Sequence, residues 1–250
     1  MSTLDTSTTA HFAEARPLDV ESPTLVEGLP GLGLVASIAV DRLVDQLDLE
    51  LHGTVRSEAF RPAAAFADGR IRDAVRVSAG KEPPIMTIGS DVPIPPTAAR
   101  PLGDCLYDDL AQEFERAIFV AGVPAETQES AGETVGAATT DDLADEMAAA
   151  GIDLAEEPGY VGNVTGGLVA ACHREGIPAA LLLVQANPRV PDPGAARTLI
   201  EDALEPLLGF DIDTQPLLEQ AEEIQERKEQ IAEQLEQSQG QNAPAPGMYQ

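Results

Sequence analysis

Lysine is nearly absent from this 250-residue chain: Lys81 and Lys228 stand alone, and arginine carries the remaining positive charge. Asp and Glu total 43 against 15 Lys and Arg, a formal net charge of -28. A folded monomer of this mass exposes about 10,600 Å², or roughly one net negative charge per 380 Å². Such a surface excludes a nucleic-acid binder that works through a basic face. It fits a proteome adapted to high salt, where dense carboxylates keep a protein soluble while ions screen their repulsion. No apolar run approaches the ~20 residues of a membrane span. Residues 1–15 hold neither a basic start nor an apolar stretch, so no secretory leader is expected and the cytoplasm is the expected compartment. The two cysteines, Cys105 and Cys172, are far apart and lack metal-ligand spacing, which reads as two buried thiols in a reducing compartment. His11, His52 and His173 form neither an HxH nor an HExxH pattern, so no zinc or iron site is expected. No serine sits in a GxSxG elbow and no histidine has a nucleophile or acid partner. Carboxylates are so abundant that acidic pairs arise by chance. The residues therefore name no catalytic group and no cofactor, and an enzyme is not expected.

What is present is 43% hydrophobic residues, enough to bury a sizeable core. Residues 1–22 read as a lead-in with room for one edge strand. An extended run at 24–27 precedes a glycine turn, and the apolar spacing over 34–47 predicts a helix. Strands are expected at 53–59 and 63–67, with Asp68-Gly69 turning the chain into a further strand at 71–77. A strand at 84–89 and an irregular proline loop at 92–96 follow. Further on, the pattern predicts a helix at 99–115, strands at 117–122 and 135–138, and a helix capped by Thr140 or Asp141 and ending before Gly151. A second glycine turn at 159–167 leads to a helix at 168–175, a strand at 179–184 and a helix at 194–208. Strands alternating with helices, interrupted by one β-hairpin, predict an α/β fold: a three-layer αβα sandwich on a mostly parallel sheet.

Two glycine clusters carry the motif-like features. Gly28-Leu29-Pro30-Gly31-Leu32-Gly33 contains Gly31-x-Gly33-x-x-Ala36 between a strand and a helix, the spacing of a dinucleotide fingerprint. That reading needs an acid closing the next strand about 20 residues on. Glu50 comes before the expected strand and Glu58 comes late. The other reading is structural, the glycines permitting a tight turn and close helix–sheet packing. The second cluster, containing Gly162 and Gly166, opens another helix; there Asn163 and Thr165 either bind a phosphate or sugar or cap the helix.

Composition changes after Phe210. From 215 to 239 there is no glycine, and Pro216 is the only proline, at a position where a helix can start. Leu217, Ala221, Ile224, Lys228, Ile231 and Leu235 fall at 4-3-4-3-4 spacing, a coiled-coil seam over about three heptads. Such a helix needs a partner, either the same helix of another subunit or its own domain. Residues 240–247 have linker composition. After them stand Met248-Tyr249-Gln250, which offer an apolar side chain, a phenol and a carboxylate that a cationic or amide-lined pocket can capture. The bland alternative is a frayed tail without a role. The organisation expected is thus a lead-in (1–22), an α/β domain (23–214), a helix (215–239) and a flexible tail (240–250).

These residues also carry a resemblance. Glu27-Gly28-Leu29-Pro30-Gly31-Leu32-Gly33-Leu34-Val35 with its following helix resembles the opening of the PAC2 family of proteasome assembly chaperones. The later glycine turn, Glu175-Gly176-Ile177-Pro178-Ala179, Asp192-Pro193-Gly194-Ala195-Ala196 and Leu218-Glu219-Gln220-Ala221-Glu222-Glu223-Ile224 agree with it. The resemblance spans about residues 23–231 and implies an α/β core related to nucleoside-phosphorylase folds, without established catalysis, and self-association. Archaeal members dock a C-terminal hydrophobic–Tyr–X motif between α subunits of the 20S proteasome, and Met248-Tyr249-Gln250 matches that motif at each position. The resemblance thus implies an ATP-independent, homo-oligomeric proteasome-binding protein, whether assembly chaperone, activator or adaptor. The alternative from the glycine turns is an enzyme or binding protein for a nucleoside- or nucleotide-like ligand.

Overall fold

The computed structural model describes residues 9–127 and 130–227. Strands β1 (Ala10–Glu14), β2 (Thr24–Gly28) and β3 (Glu50–Ser57) are followed by a short hairpin, β4 (Ala65–Ala67) and β5 (Arg70–Arg72). Then come β6 (Val75–Lys81), β7 (Pro84–Ser90), β8 (Arg116–Pro124), β9 (Thr134–Ala138), β10 (Asp153–Leu154) and β11 (Ala179–Ala186). The helices are α1 (Val35–Gln46), α2 (Ala99–Cys105), α3 (Asp141–Ala149), α4 (Asn163–Glu175), α5 (Pro193–Leu199) and α6 (Glu205–Leu208). Residues 215–227 form a last helix, α7.

Nine strands make one sheet in the order β1-β3-β6-β7-β2-β8-β11-β9-β10. Its centre, β7-β2-β8-β11, is parallel, as the alternation of strands and helices predicts. The β1-β3-β6-β7 side is an antiparallel meander, and β9 joins β11 antiparallel, so the sheet as a whole is mixed. Period-two burial places side chains alternately in two helical layers. Val26, Ile118, Val120, Leu182 and Val184 pack with α1, α3 and α5. Leu25, Phe119, Met86 and Ile88 pack on the other face with α2 and α4. This is the expected three-layer arrangement, and the central strands, covered on both faces, read as near-continuous apolar runs.

Agreements with the sequence reading and departures from it both have local causes. The expected edge-strand reading of the lead-in holds: it supplies β1, whose Phe12 covers Gly53; a Cβ there would lie 2.3 Å from the ring. The expected strand at 71–77 is divided between β5 and β6, because β4 and β5 form a separate two-stranded sheet. Its turn, Asp68-Gly69, has positive φ at both residues (51° and 73°), the conformation that matches strand twist in a two-residue hairpin. The helix expected at 99–115 passes from α2 into a π-turn, Leu106–Leu110, and ends there. The helix expected from 168 begins at Asn163, so Gly166 and Gly167 lie inside it. Asp192 caps α5, accepting from Ala195 N–H (3.0 Å) while its other oxygen accepts from Asn187 N–H (2.8 Å).

Candidate functional site

The first glycine turn leaves the carboxyl end of β2 and enters α1 through a single 3-10 turn, Leu32–Leu34. Its glycines answer to the protein's own packing. A Cβ on Gly28 would stand 2.4 Å from Val40 Cβ of α1. Gly33 has φ +65° and would meet Ala186 at 2.9 Å, and its carbonyl accepts from Asp192 N–H at 2.8 Å. Gly31 is unconstrained, with nothing within 4 Å of a Cβ. Gly122 of β8, which carries no motif signal, holds the same turn from below: a Cβ there would lie 2.3 Å from the Leu32 carbonyl oxygen.

Below the turn lies Glu27, fully buried on the α4 face of β2. Its Oε1 accepts from Leu29 N–H (3.2 Å) and Thr165 Oγ1 (3.3 Å), and its Oε2 from Val120 N–H (3.4 Å). The side chain thus ties together the glycine turn, β8 and the first turn of α4. Burial pushes its carboxyl up to about 8, outweighing the hydrogen bonds that favour the charged form. Sequence reasoning passed over it. The available signal was an acid inside a five-residue strand whose other members are apolar, small or a threonine.

In the second glycine cluster neither Asn163 nor Thr165 caps the helix: Gly162 is the N-cap residue and receives no side-chain bond. Thr165 is committed to Glu27, and Asn163 opens the helix at a left-handed φ of 57°. Gly166 is required by contact, because a Cβ would fall 2.0 Å from the Val161 carbonyl oxygen. Gly162 has open space around it. Cys105 and Cys172 are free and buried on this same side, and burial pushes their thiols up to about 12 and about 11. Among the described residues no three His, Cys, Asp or Glu side chains cluster as metal ligands, and no helix is long and apolar enough to cross a membrane.

The strand order decides against the dinucleotide fingerprint. In that fold the strand after the first helix lies parallel and next to the first strand. Here β3 follows α1, runs antiparallel to β6, and is separated from β2 by β6 and β7. Glu50 and Glu58 are exposed at or beyond the ends of β3, remote from the turn.

At the C-terminal end, Asp213 and Thr214 fasten α7 to the body. Arg42 of α1 donates to the Asp213 carbonyl (Nε, 2.7 Å), Thr214 Oγ1 donates to Glu201, and Gln215 N–H donates to the Asp213 carboxylate (2.9 Å). Leu217, the first seam position, is buried in the core that α1 and α5 share, so its own domain takes it up and it is not left for a second helix. Ala221 and Ile224 are half-buried. With Leu218 they wall a groove of about 920 Å³ against the 187–192 loop, the start of α5, Ala125, Glu126, Thr127 and Ala131. Lys228, Ile231, Leu235, Met248, Tyr249 and Gln250 lie outside the described residues.

A curated relative from Methanocaldococcus jannaschii, itself uncharacterized, is 26% identical over 227 residues, covering 89% of this chain and 91% of the relative. The crystal structure of Pyrococcus furiosus PbaA, described as an archaeal homolog of proteasome-assembly chaperone, aligns at TM-score 0.80 and 27% identity, covering 92% of this chain and 95% of PbaA. Pyrococcus furiosus PbaB, described as an archaeal proteasome activator, shares the fold at TM-score 0.79 and 20% identity, covering 90% of this chain and 99% of PbaB. The PAC2 family model matches residues 25–232, from β2 to beyond the last described turn of α7, and this chain belongs to the PAC2 family.

Proposed function

We propose that this protein binds the 20S proteasome without ATP, as an assembly chaperone, activator or adaptor, and that it does so as a cytoplasmic homo-oligomer suited to high salt. The α/β body is the scaffold, α7 and its continuation to residue 239 carry the tail outward, and Met248-Tyr249-Gln250 dock between α subunits. The observation that carries this reading is the likeness to PbaA over nearly the whole of both chains, joined to the hydrophobic–Tyr–X sequence at 248–250.

In this mechanism Tyr249 is the buried anchor, Met248 adds apolar contact and the Gln250 carboxylate meets a cationic group. A linker from 240 to 248 spans about 16 Å root-mean-square, lengthened by its prolines. One tail binds weakly; several tails on one oligomer raise the effective concentration and hence avidity. Ala221, Ile224, Lys228, Ile231 and Leu235 are the positions through which neighbouring helices associate, with Leu217 anchoring the helix in the body. The seam also fits a parallel bundle in which Lys228 selects register.

Deleting Tyr249 and Gln250 tests the reading. In pull-downs with 20S proteasome at high salt, the full chain is expected to bind and the shortened chain to lose binding while keeping its fold and oligomer size. Equal binding by the two would refute the tail mechanism.

A further inference from the structure

The exposed apolar side chains of the described residues are unevenly placed. Phe66 and Ile71 are 74% and 75% exposed and face each other across the β4–β5 hairpin, which pairs with no strand of the main sheet. The hairpin also sits in the most basic part of the chain. Between 54 and 76 lie Arg56, Arg61, Arg70, Arg72 and Arg76 against three acids, Glu58, Asp68 and Asp73, in a protein of net charge -28. Arg56 pairs with Asp73, and Arg72 and Arg76 pair with Asp91. Arg61 and Arg70 are exposed and have no ion pair among the described residues. A two-stranded hairpin with an open apolar pair is marginal in water unless something covers it.

The far side of the sheet offers the converse surface. No lysine or arginine occurs between Arg116 and Arg174, whereas Asp153, Glu156 and Glu157 lie in the segment that leads to α4. Between α4 and the β9–β11 pair is a cleft of about 280 Å³ whose walls are mostly small or apolar, Val161, Val169 and Leu181 among them, with Thr139 and His173 as its polar side chains. It is smaller than the ~300–1,000 Å³ of ordinary small-molecule sites. Tyr160, 96% exposed, directly precedes Val161 in the chain, and the segment leading there carries Asp153, Glu156 and Glu157, all exposed.

We propose that the β4–β5 hairpin of one copy inserts Phe66 and Ile71 into the α4/β9–β11 cleft of a second copy, with Arg61 and Arg70 set against Asp153, Glu156 and Glu157. The occupant is a second copy because one chain carries both halves and does not join them itself. The hairpin leaves the sheet between β3 and β6, and β6 lies four strand spacings from β11, about 19 Å. The contact is heterologous, each copy giving a hairpin and receiving one, so repetition closes a ring or extends a filament. In molar salt the net repulsion between acidic copies is screened, while the apolar insertion and the close ion pairs persist. This extends the self-association in the proposed function but does not use the α7 seam.

Photo-crosslinking of the full chain with Phe66→p-benzoylphenylalanine tests it. Crosslinks between copies are expected on the peptide covering 155–181. No crosslink between copies, or crosslinks confined to other peptides, overturns the proposal. Phe66→Ser combined with Ile71→Ser, both at exposed positions, should leave the circular dichroism spectrum unchanged and weaken self-association by at least about tenfold. Unchanged oligomer size by light scattering would also overturn it. Arg70→Glu and Glu157→Arg should each weaken assembly and partly restore it when combined; an additive loss counts against the ion-pair register. None of these readouts involves the proteasome or the tail, so this contact and the docking mechanism stand or fall separately.

Discussion

Replacing Glu27 by glutamine isolates the one fully buried charge-bearing side chain beneath the glycine turn. The carboxyl titrates at about 8 against an ordinary 4.5 because desolvation outweighs the donors on Val120, Leu29 and Thr165. Between those two values the folded chain holds a proton that the unfolded chain has released. Stability therefore falls as pH rises through this window, at about 1.4 kcal/mol per pH unit and about 5 kcal/mol in all. Below pH 4.5 both states are protonated and nothing is lost. Glu27→Gln keeps the shape and an acceptor for Leu29 N–H and Thr165 Oγ1, but it does not titrate. Its amide nitrogen would face Val120 N–H, which costs about 1 kcal/mol at every pH. Urea unfolding at fixed high salt, run on both proteins from about pH 5 to about pH 8, should show the variant gaining on the parent by roughly 3–4 kcal/mol. The background titration of the other carboxylates is common to both and cancels. A difference that stays flat with pH would mean that Glu27 ionises in the fold as it does in the unfolded chain, and the buried clasp would be refuted.

Three further predictions rest on local geometry. Gly166→Ala should destabilise by about 2–3 kcal/mol, since its Cβ meets the Val161 carbonyl oxygen at 2.0 Å. Gly31→Ala, in open space with φ near -130°, should change stability by less than about 0.5 kcal/mol; equal melting temperatures for the two variants would contradict the packing account. Asp192→Ala removes both the α5 cap and the Asn187 tether, and an expected loss of about 2 kcal/mol is readable by denaturant midpoint. The thiols of Cys105 and Cys172 are buried and poorly ionised, so a disulfide reagent at pH 8 should label neither until the chain unfolds. Rapid stoichiometric labelling of the native protein would contradict their placement.

Much of the fold was legible because element type is a local property. Val35, Ile38, Leu43 and Val44 mark α1 by spacing alone, and the run from Ala117 to Gly122 marks a central strand by its unbroken apolarity. Asp68-Gly69 announced the hairpin turn, since both residues tolerate positive φ. The family likeness was likewise readable, because the glycine string at 28–33 and its following helix are contiguous. Less legible were the features that depend on a distant neighbour. Gly166 and Gly167 read as a loop, yet they lie inside the helix that begins at Asn163, where Val161 and Ala99 approach too closely for any side chain. Leu217 had the periodicity of a coiled-coil seam, but the pocket between α1 and α5 claims it first.

The sequence by itself determined the acidic surface, the alternation of strands and helices, the turn positions and the heptad-like spacing after residue 215, because each follows from residue chemistry within a few positions. Tertiary structure alone decided that β3 lies away from β2, which removes the dinucleotide geometry from Gly31 and Gly33. It alone buried Glu27 against Thr165, 138 residues away, kept the basic hairpin out of the nine-stranded sheet and opened the cleft between α4 and the β9–β11 pair. Strand order and burial are fixed by pairings between segments far apart in the chain, and no local pattern encodes which of those pairings is made.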